Sequence, residues 1–496
     1  MIVAKRRQSR LPPYTDLLLL VVGALILSAA ALLYQRVAIY HDTGTYYIYG
    51  KHILSEAKAV LTHDPAAANV LGEDDKDYFG ARSPTYSAIV YLATSRATLW
   101  GVLVLQALAA AWVLLALAKA VAPAAHARCF LILATCLTLG TGLSYFLSFA
   151  MPDVFAGLGA LALLGHLAYP DRLDWTARMG LLLMVGLAAS FHPTIPPVLA
   201  AAAIAGALAM LVSGGTVRRS ALLCGAALGV VIAGWATGPL YRSIERKVFE
   251  HRIEAPPFLM ARLLEDGTGA RYLAEACAAD PQRIFCQVPI HPPIDSDAFL
   301  WNRDENGTYL AVEPPQRARL RDEQWAFVAG TALSHPVEQF RISLGNWWRQ
   351  LLMIEVDEPL EDPTTQTSFN LFDQTNSRPG EVRTYGWEAQ LEALRTAIML
   401  ASGALVLGIA LLAATARSQP DERRRVMIVV TVVVVAILVN AAITGIVSKP
   451  YPRYQSRISW LLPAILVMLS FHPFLIIRLR NLLKQARYAR HKNVGN

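Results

Sequence analysis

A few side chains of chemical type fall where long apolar runs of this chain begin or end. Asp42 lies in Tyr40-His41-Asp42-Thr43-Gly44-Thr45-Tyr46-Tyr47, directly after the apolar stretch 17–35. A carboxylate there suits a general base for a hydroxyl. Asp153, in Met151-Pro152-Asp153-Val154, opens another apolar stretch. It reads equally well as a first-turn capping carboxylate, which a helix N-terminus favours, or as a functional group that positions a substrate. Arg453 and Arg457, in Lys449-Pro450-Tyr451-Pro452-Arg453-Tyr454-Gln455-Ser456-Arg457, stand four apart and project from one helical face. Paired guanidinium groups suit the oxygens of a phosphate; contact with lipid headgroups is the competing reading. His192, in Phe191-His192-Pro193, occupies a third turn between apolar runs, where a lone histidine is more often structural. Arg82, Pro84 and Tyr86 open a fourth segment. The acidic run Glu73-Asp74-Asp75-Lys76-Asp77 offers oxygen ligands for a hard cation, or forms a solvated loop.

The elements that must position these groups are set by composition. Of 496 residues, 54% are hydrophobic and 17% charged, with a mean hydropathy of +0.38. That departs from globular averages in the direction of lipid. It excludes a disordered tail, a collagen, a coiled coil and a small disulfide scaffold. Stretches 17–35, 99–121, 129–148, 219–239, 396–415, 424–446 and 457–477 are apolar over about 20 residues, the length of a transmembrane helix. Shorter or interrupted stretches cover 152–169, 178–192 and 194–213, and a shallow helix is expected at 83–97. The expected fold is an α-helical polytopic membrane protein with about ten or more transmembrane helices and an extracytoplasmic domain.

Charge sets the orientation. Lys5, Arg6, Arg7 and Arg10 precede the first span, which places the N-terminus inside. Alternating the spans then puts 20 Lys and Arg against 5 Asp and Glu inside, and 25 against 32 outside. The formal net charge of +8 is therefore an orientation signal and not a nucleic-acid surface. Residues 1–239 form an N-terminal transmembrane module with an external loop at 36–97. Residues 240–395, with 16 basic and 24 acidic side chains, form an extracytoplasmic domain; residues 396–496 supply the last helices and a basic cytoplasmic tail. Trp325, Val328, Leu333, Phe340, Leu344 and Trp348 recur at helical spacing within 319–353, interrupted near Pro336. Cys277 and Cys286, nine positions apart in an oxidising compartment, favour a disulfide. The chain carries no convincing phosphate loop or dinucleotide fingerprint and no zinc spacing. No metal ligand is assigned: a divalent cation has no clear ligand motif, and no cofactor is certain.

The order of these motifs resembles the GT-C superfamily of integral-membrane glycosyltransferases, and most of all its protein mannosyltransferase and aminoarabinose transferase branch. An aspartate follows the first span (Asp42, with Tyr46 and Gly50 behind it). A basic-Pro-Tyr element opens the next helix (Arg82, Pro84, Tyr86). A second aspartate begins a middle span (Asp153), and an Arg-Tyr element precedes the last (Arg453, Tyr454). The likeness covers about 10–215 and, more thinly, 420–477. It departs where one carboxylate stands for the double acid of many relatives and where His192 stands for a basic residue.

The resemblance implies an enzyme of the cell (inner) membrane and cell envelope. It would move a sugar from a polyprenyl-phosphate donor to a lipid, glycan or protein acceptor outside the membrane, with inversion. Asp42 would be the catalytic base, with Arg453, Arg457 and His192 on the phosphate. Asp153, Tyr46, Tyr86 and Arg82 would bind substrate or acceptor. The competing classes are a lipid-glycan transporter or flippase and a catalytically inactive assembly component. Charges midway through spans would favour transport, and the clear spans carry few.

Overall fold

The structure is a computed structural model. It describes residues 13–35, 37–64, 79–94, 99–249, 253–290, 294–356, 388–415, 419–478, 480 and 484. The acidic run Glu73–Asp77 lies outside the described residues.

The chain folds into helices α1 Pro13–Leu27, α2 Ala29–Tyr34, α3 His41–Thr62, α4 Pro84–Thr94, α5 Trp100–Val121, α6 His126–Gly140 and α7 Leu143–Ser148. Then come α8 Val154–Ala168, α9 Trp175–Phe191, α10 Ile195–Val212 and α11 Val217–Val248. A run of shorter helices follows: α12 Phe258–Glu265, α13 Thr268–Ala279, α14 Ile284–Gln287, α15 Ser296–Trp301, α16 Pro314–Ser334 and α17 Pro336–Leu352. The chain ends with α18 Glu388–Ala414, α19 Pro420–Val447, α20 Pro452–Ser459 and α21 Leu461–Ser470.

Five of these, α5, α10, α11, α18 and α19, are long and apolar enough to cross a membrane; Tyr14–Leu27, α6, α8 and α9 are shorter apolar helices. Their outward faces carry Leu17, Leu105, Leu183, Leu208, Leu222 and Leu405, all more than half exposed. Such a surface would be a liability in water and is the expected one against lipid. The chain is a multi-pass helical membrane protein.

Several apolar runs that look continuous in sequence are broken in space. The first bends at Ser28, whose Oγ donates back to the Ala24 carbonyl (2.8 Å) and competes with the helix ladder. The run 129–148 divides at Gly140–Gly142 into α6 and α7. The run 457–477 divides between α20 and α21. The shallow element at 83–97 is α4, eleven residues long and too short to cross.

The main core is built around α8, every residue of which is buried. Small residues permit this close approach, and α5, α9, α10, α19 and α20 all pack on it. At one end of the bundle acids and bases form a polar cap. Arg172 binds Glu422, Arg425 binds Asp171 and Glu422, and Arg219 Nη2 lies 3.0 Å from Asp171 Oδ1. Lys119 reaches Asp16 nearby in the chain order of the same end (2.6 Å). The opposite end carries the groups singled out above.

A second, separate core is formed by α12 to α16 around Met260, Leu264, Phe285, Phe299, Tyr309, Leu320 and Phe327. Cys277 and Cys286 are disulfide-bonded at its edge, with Cα atoms 5.5 Å apart. The periodic residues of 319–353 divide at Pro336 into α16 and α17. Val328 packs on the second core, whereas Leu333, Phe340, Leu344 and Trp348 are exposed.

Candidate functional site

The segment entering α3 and the segment entering α8 are clipped together. Ala38 N donates to Ser148 O (2.8 Å) and Ala150 N donates to Ala38 O (3.3 Å), a single parallel bridge between Ala38 and Phe149. Asp42 and Asp153 lie just beyond the two sides of this clip, and so share one end of the bundle. Gln106 of α5 braces it: its Nε2 donates to Phe149 O (2.7 Å), and its Oε1 accepts from Tyr86 OH (3.0 Å).

Asp42 sits in the first turn of α3, where a negative charge suits the helix dipole. The backbone N–H of Tyr40 donates to Thr43 Oγ1 (3.0 Å) and fixes that turn. Arg82 Nη2 donates to Asp42 Oδ1, with 14% and 13% of the two side chains exposed. The Arg82 guanidinium lies 5.9 Å from the Tyr46 ring, and Tyr46 meets Tyr86 edge to face at 5.1 Å. The ion pair of Asp42 is with Arg82.

The cations of 453–457 belong to Asp153. It occupies the N-cap position of α8 yet makes no side-chain cap hydrogen bond. Its Oδ1 instead lies 3.4 Å from Arg457 Nη1 and 3.8 Å from Arg453 Nε. Arg457 is fully buried. Its Nη2 donates to Thr194 Oγ1 (2.8 Å) and to Asn440 Oδ1 (3.0 Å), so this one side chain joins α8, the start of α10 and α19. Arg453 differs. Its guanidinium stacks over Tyr40 (4.0 Å) and faces Tyr454 (5.2 Å). Its Nε and Nη1 have no hydrogen-bond partner among the described residues.

His192 Nδ1 lies 2.8 Å from Thr194 Oγ1 and accepts from Thr194 N at 3.3 Å. The ring is then a neutral imidazole protonated on Nε2. Ser83 Oγ donates to Ser190 O (2.6 Å) and ties the Arg82 turn to the end of α9 just before His192.

Asp42, Tyr46, Arg82, Tyr86, Asp153, His192, Arg453 and Arg457 therefore gather at one end of the bundle, while Cys277 and Cys286 lie apart in the second core. In this cluster three guanidinium groups face two carboxylates, an excess of one positive charge. Such a cluster suits an anion entering beside a carboxylate.

Lys449, four residues before Arg453, is bound to the second core. Its Nζ lies 2.5 Å from Asp295 and 3.2 Å from Asp297, both on the second core. Gln350 pairs twice with the backbone of Tyr451, through Nε2 to O (2.9 Å) and N to Oε1 (2.8 Å).

Thr194, Asn440 and Gln106 were not singled out from sequence. Asn440 and Gln106 did leave a signal, a lone amide inside an apolar span, which lipid tolerates only when it is bonded within the protein. Among the described residues, the grouping of His, Cys, Asp and Glu that could hold a metal is His52, Glu56 and Glu245, further along α3.

No protein-family model matches the chain, and no curated protein matches it. Among solved structures, it is similar to the crystal structure of ArnT from Cupriavidus metallidurans in the apo state. The identity is 14%, over 86% of this chain and 78% of that one, with a TM-score of 0.28. A likeness that loose assigns no fold family and no residue role.

Proposed function

We propose that the chain is a membrane glycosyltransferase of the GT-C type. It takes a sugar from a polyprenyl-phosphate donor and passes it to an acceptor hydroxyl on the extracytoplasmic face of the inner membrane. The observation that carries this reading is the cationic excess at one bundle end, with Arg453 holding donors in reserve beside two carboxylates.

The chemistry follows from the parts. The donor's phosphate oxygens meet Arg453, with Arg457 behind it; positive charge there stabilises the departing polyprenyl phosphate. The acceptor oxygen attacks the anomeric carbon from the opposite side. The carbon–phosphate-oxygen bond breaks with its electron pair leaving on the phosphate, and the anomeric centre inverts. The acceptor's proton passes to the Asp42 carboxylate, which Arg82 holds in place. His192, neutral and protonated on Nε2, supplies a further hydrogen-bond donor to the phosphate. Asp153 keeps the two arginines aimed, and the rings of Tyr46 and Tyr86 shape the sugar side. The second core, residues 258–328, stands at the same end through Lys449 and controls acceptor access.

Purified protein given a polyprenyl-phosphate sugar tests this directly. Release of free polyprenyl phosphate with transfer or hydrolysis of the sugar is expected. Tight donor binding with no turnover for any sugar or acceptor offered would move the protein to transport or to an inactive assembly role.

A further inference from the structure

We infer that His52, Glu56 and Glu245 form a binding site for a divalent transition metal, zinc by the donor set, that staples α3 to α11. This site lies outside the proposed transfer site. His52 follows Asp42 by ten positions on α3, about 15 Å along the helix axis.

Three observations carry the inference. The first is convergence. His52 Nε2 lies 3.0 Å from Glu56 Oε1 and 3.7 Å from Glu245 Oε1, and the three ligand atoms are all within 4.8 Å of one another. A tetrahedral zinc with bonds of about 2.0–2.1 Å sets neighbouring ligand atoms about 3.3 Å apart, and the 3.0 and 3.7 Å separations bracket that spacing. His52 and Glu56 are one helical turn apart, which aims both at the same point.

The second is burial. His52 and Glu245 are fully buried, and Glu56 is 2% exposed. Both carboxylate oxygens of Glu245 lack a hydrogen bond of ordinary geometry among the described residues. A divalent cation neutralises the pair and occupies those lone pairs.

The third is the surrounding shell. Tyr241, one turn before Glu245 on α11, donates its hydroxyl to Glu56 Oε2 (2.5 Å). Such outer-shell bonds orient metal-binding carboxylates. Tyr49, Phe79 and Ile253 form a buried apolar cluster with Ile53 and Tyr241, and the Tyr49 ring stacks beside His52 (6.3 Å). Imidazole with carboxylates suits zinc above calcium or magnesium, which prefer all-oxygen sets. The site fixes the rotation of α3, and with it the aim of Asp42 and Tyr46.

Elemental analysis of the full-length protein, purified without chelators and incubated with Zn²⁺, tests the site. About one zinc per chain is expected, reduced about tenfold or more in Glu245→Gln and His52→Ala. A strong chelator should lower the thermal midpoint of the wild-type protein, and added Zn²⁺ should restore it; the variants should respond to neither. Folded wild-type protein with substoichiometric zinc and a chelator-indifferent midpoint would overturn the inference. So would a Glu245→Gln protein that retains the wild-type zinc content. None of these readouts depends on sugar transfer.

Discussion

Arg457 Nη1 lies 3.4 Å from Asp153 Oδ1 across 304 residues of sequence. The contact joins the N-terminus of the central helix α8 to the short helix α20 near the end of the chain. It also divides labour between two arginines one turn apart. Arg457 spends its donors on Asp153, Thr194 and Asn440 inside the protein. Arg453 Nε and Nη1 have no hydrogen-bond partner among the described residues, and these are the donors proposed to meet the donor phosphate.

That division predicts opposite phenotypes. Arg457→Ala removes one partner of a buried ion pair and should cost about 3 kcal/mol, the low end for such losses because Arg453 still faces Asp153. Arg453→Ala should leave the fold nearly unchanged and weaken polyprenyl-phosphate binding tenfold or more. Thermal melts and a donor-binding titration on both proteins check this. Equal effects in both assays would remove the distinction.

Gly50 sets the distance between α3 and α4. A Cβ there would meet the backbone oxygen of Ser87 at 2.0 Å and Tyr91 Cβ at 2.7 Å. Backbone cannot yield as a flexible side chain does, so Gly50→Ala should destabilise by about 1–3 kcal/mol. It should also disturb the Asp42–Arg82 pair that spans the same two segments. An unchanged thermal midpoint would show that the helices do not approach this closely.

The Lys449 tether should depend on pH and salt. Burial raises the Asp295 carboxyl, but Lys449 and the backbone N–H groups of Ala298 and Asp297 outweigh it and hold Asp295 below the usual aspartate range. Burial lowers Lys449, but Asp295, Asp297 and Glu265 together hold it above the usual lysine range. The acid's contribution is therefore present above about pH 4 and lost as pH falls through its lowered folded value. The lysine's contribution is present below about pH 10 and lost as pH rises through its raised value. Because Asp295 and Asp297 are more than half exposed, the tether is worth at most about 1 kcal/mol. Lys449→Met should speed amide exchange in α15 at neutral pH and low salt. The difference should vanish in about 1 M salt. A difference insensitive to salt would point to packing instead.

The helical membrane architecture was legible in the sequence because runs such as 99–121 and 424–446 have few other uses. Asp42, Asp153, Arg453 and Arg457 were conspicuous because charge at a membrane boundary is costly unless it is used. The pairing was not legible. Nothing in residue order says that Arg82 takes Asp42 while Asp153 takes both later arginines; the Ala38–Phe149 clip decides that, and it is made of backbone. Gln106 and Asn440 were hidden by the apolarity around them. His52, Glu56 and Glu245 were hidden because Glu245 lies 189 positions after Glu56, beyond the reach of any local spacing rule. The breaks at Ser28 and Gly140–Gly142 also escaped a hydropathy reading, which registers length and not the path of the backbone.

The account rests on transfer at the Asp42 end of the bundle. Its most direct test is the single-turnover rate of sugar transfer from a polyprenyl-phosphate donor by purified wild-type and Asp42→Asn proteins, with donor affinity measured in parallel. Asn keeps the shape of the side chain and removes the base. The predicted result is a fall in rate on the order of 100-fold or more, with donor affinity and thermal midpoint close to wild type. Transfer by Asp42→Asn at the wild-type rate would contradict the account.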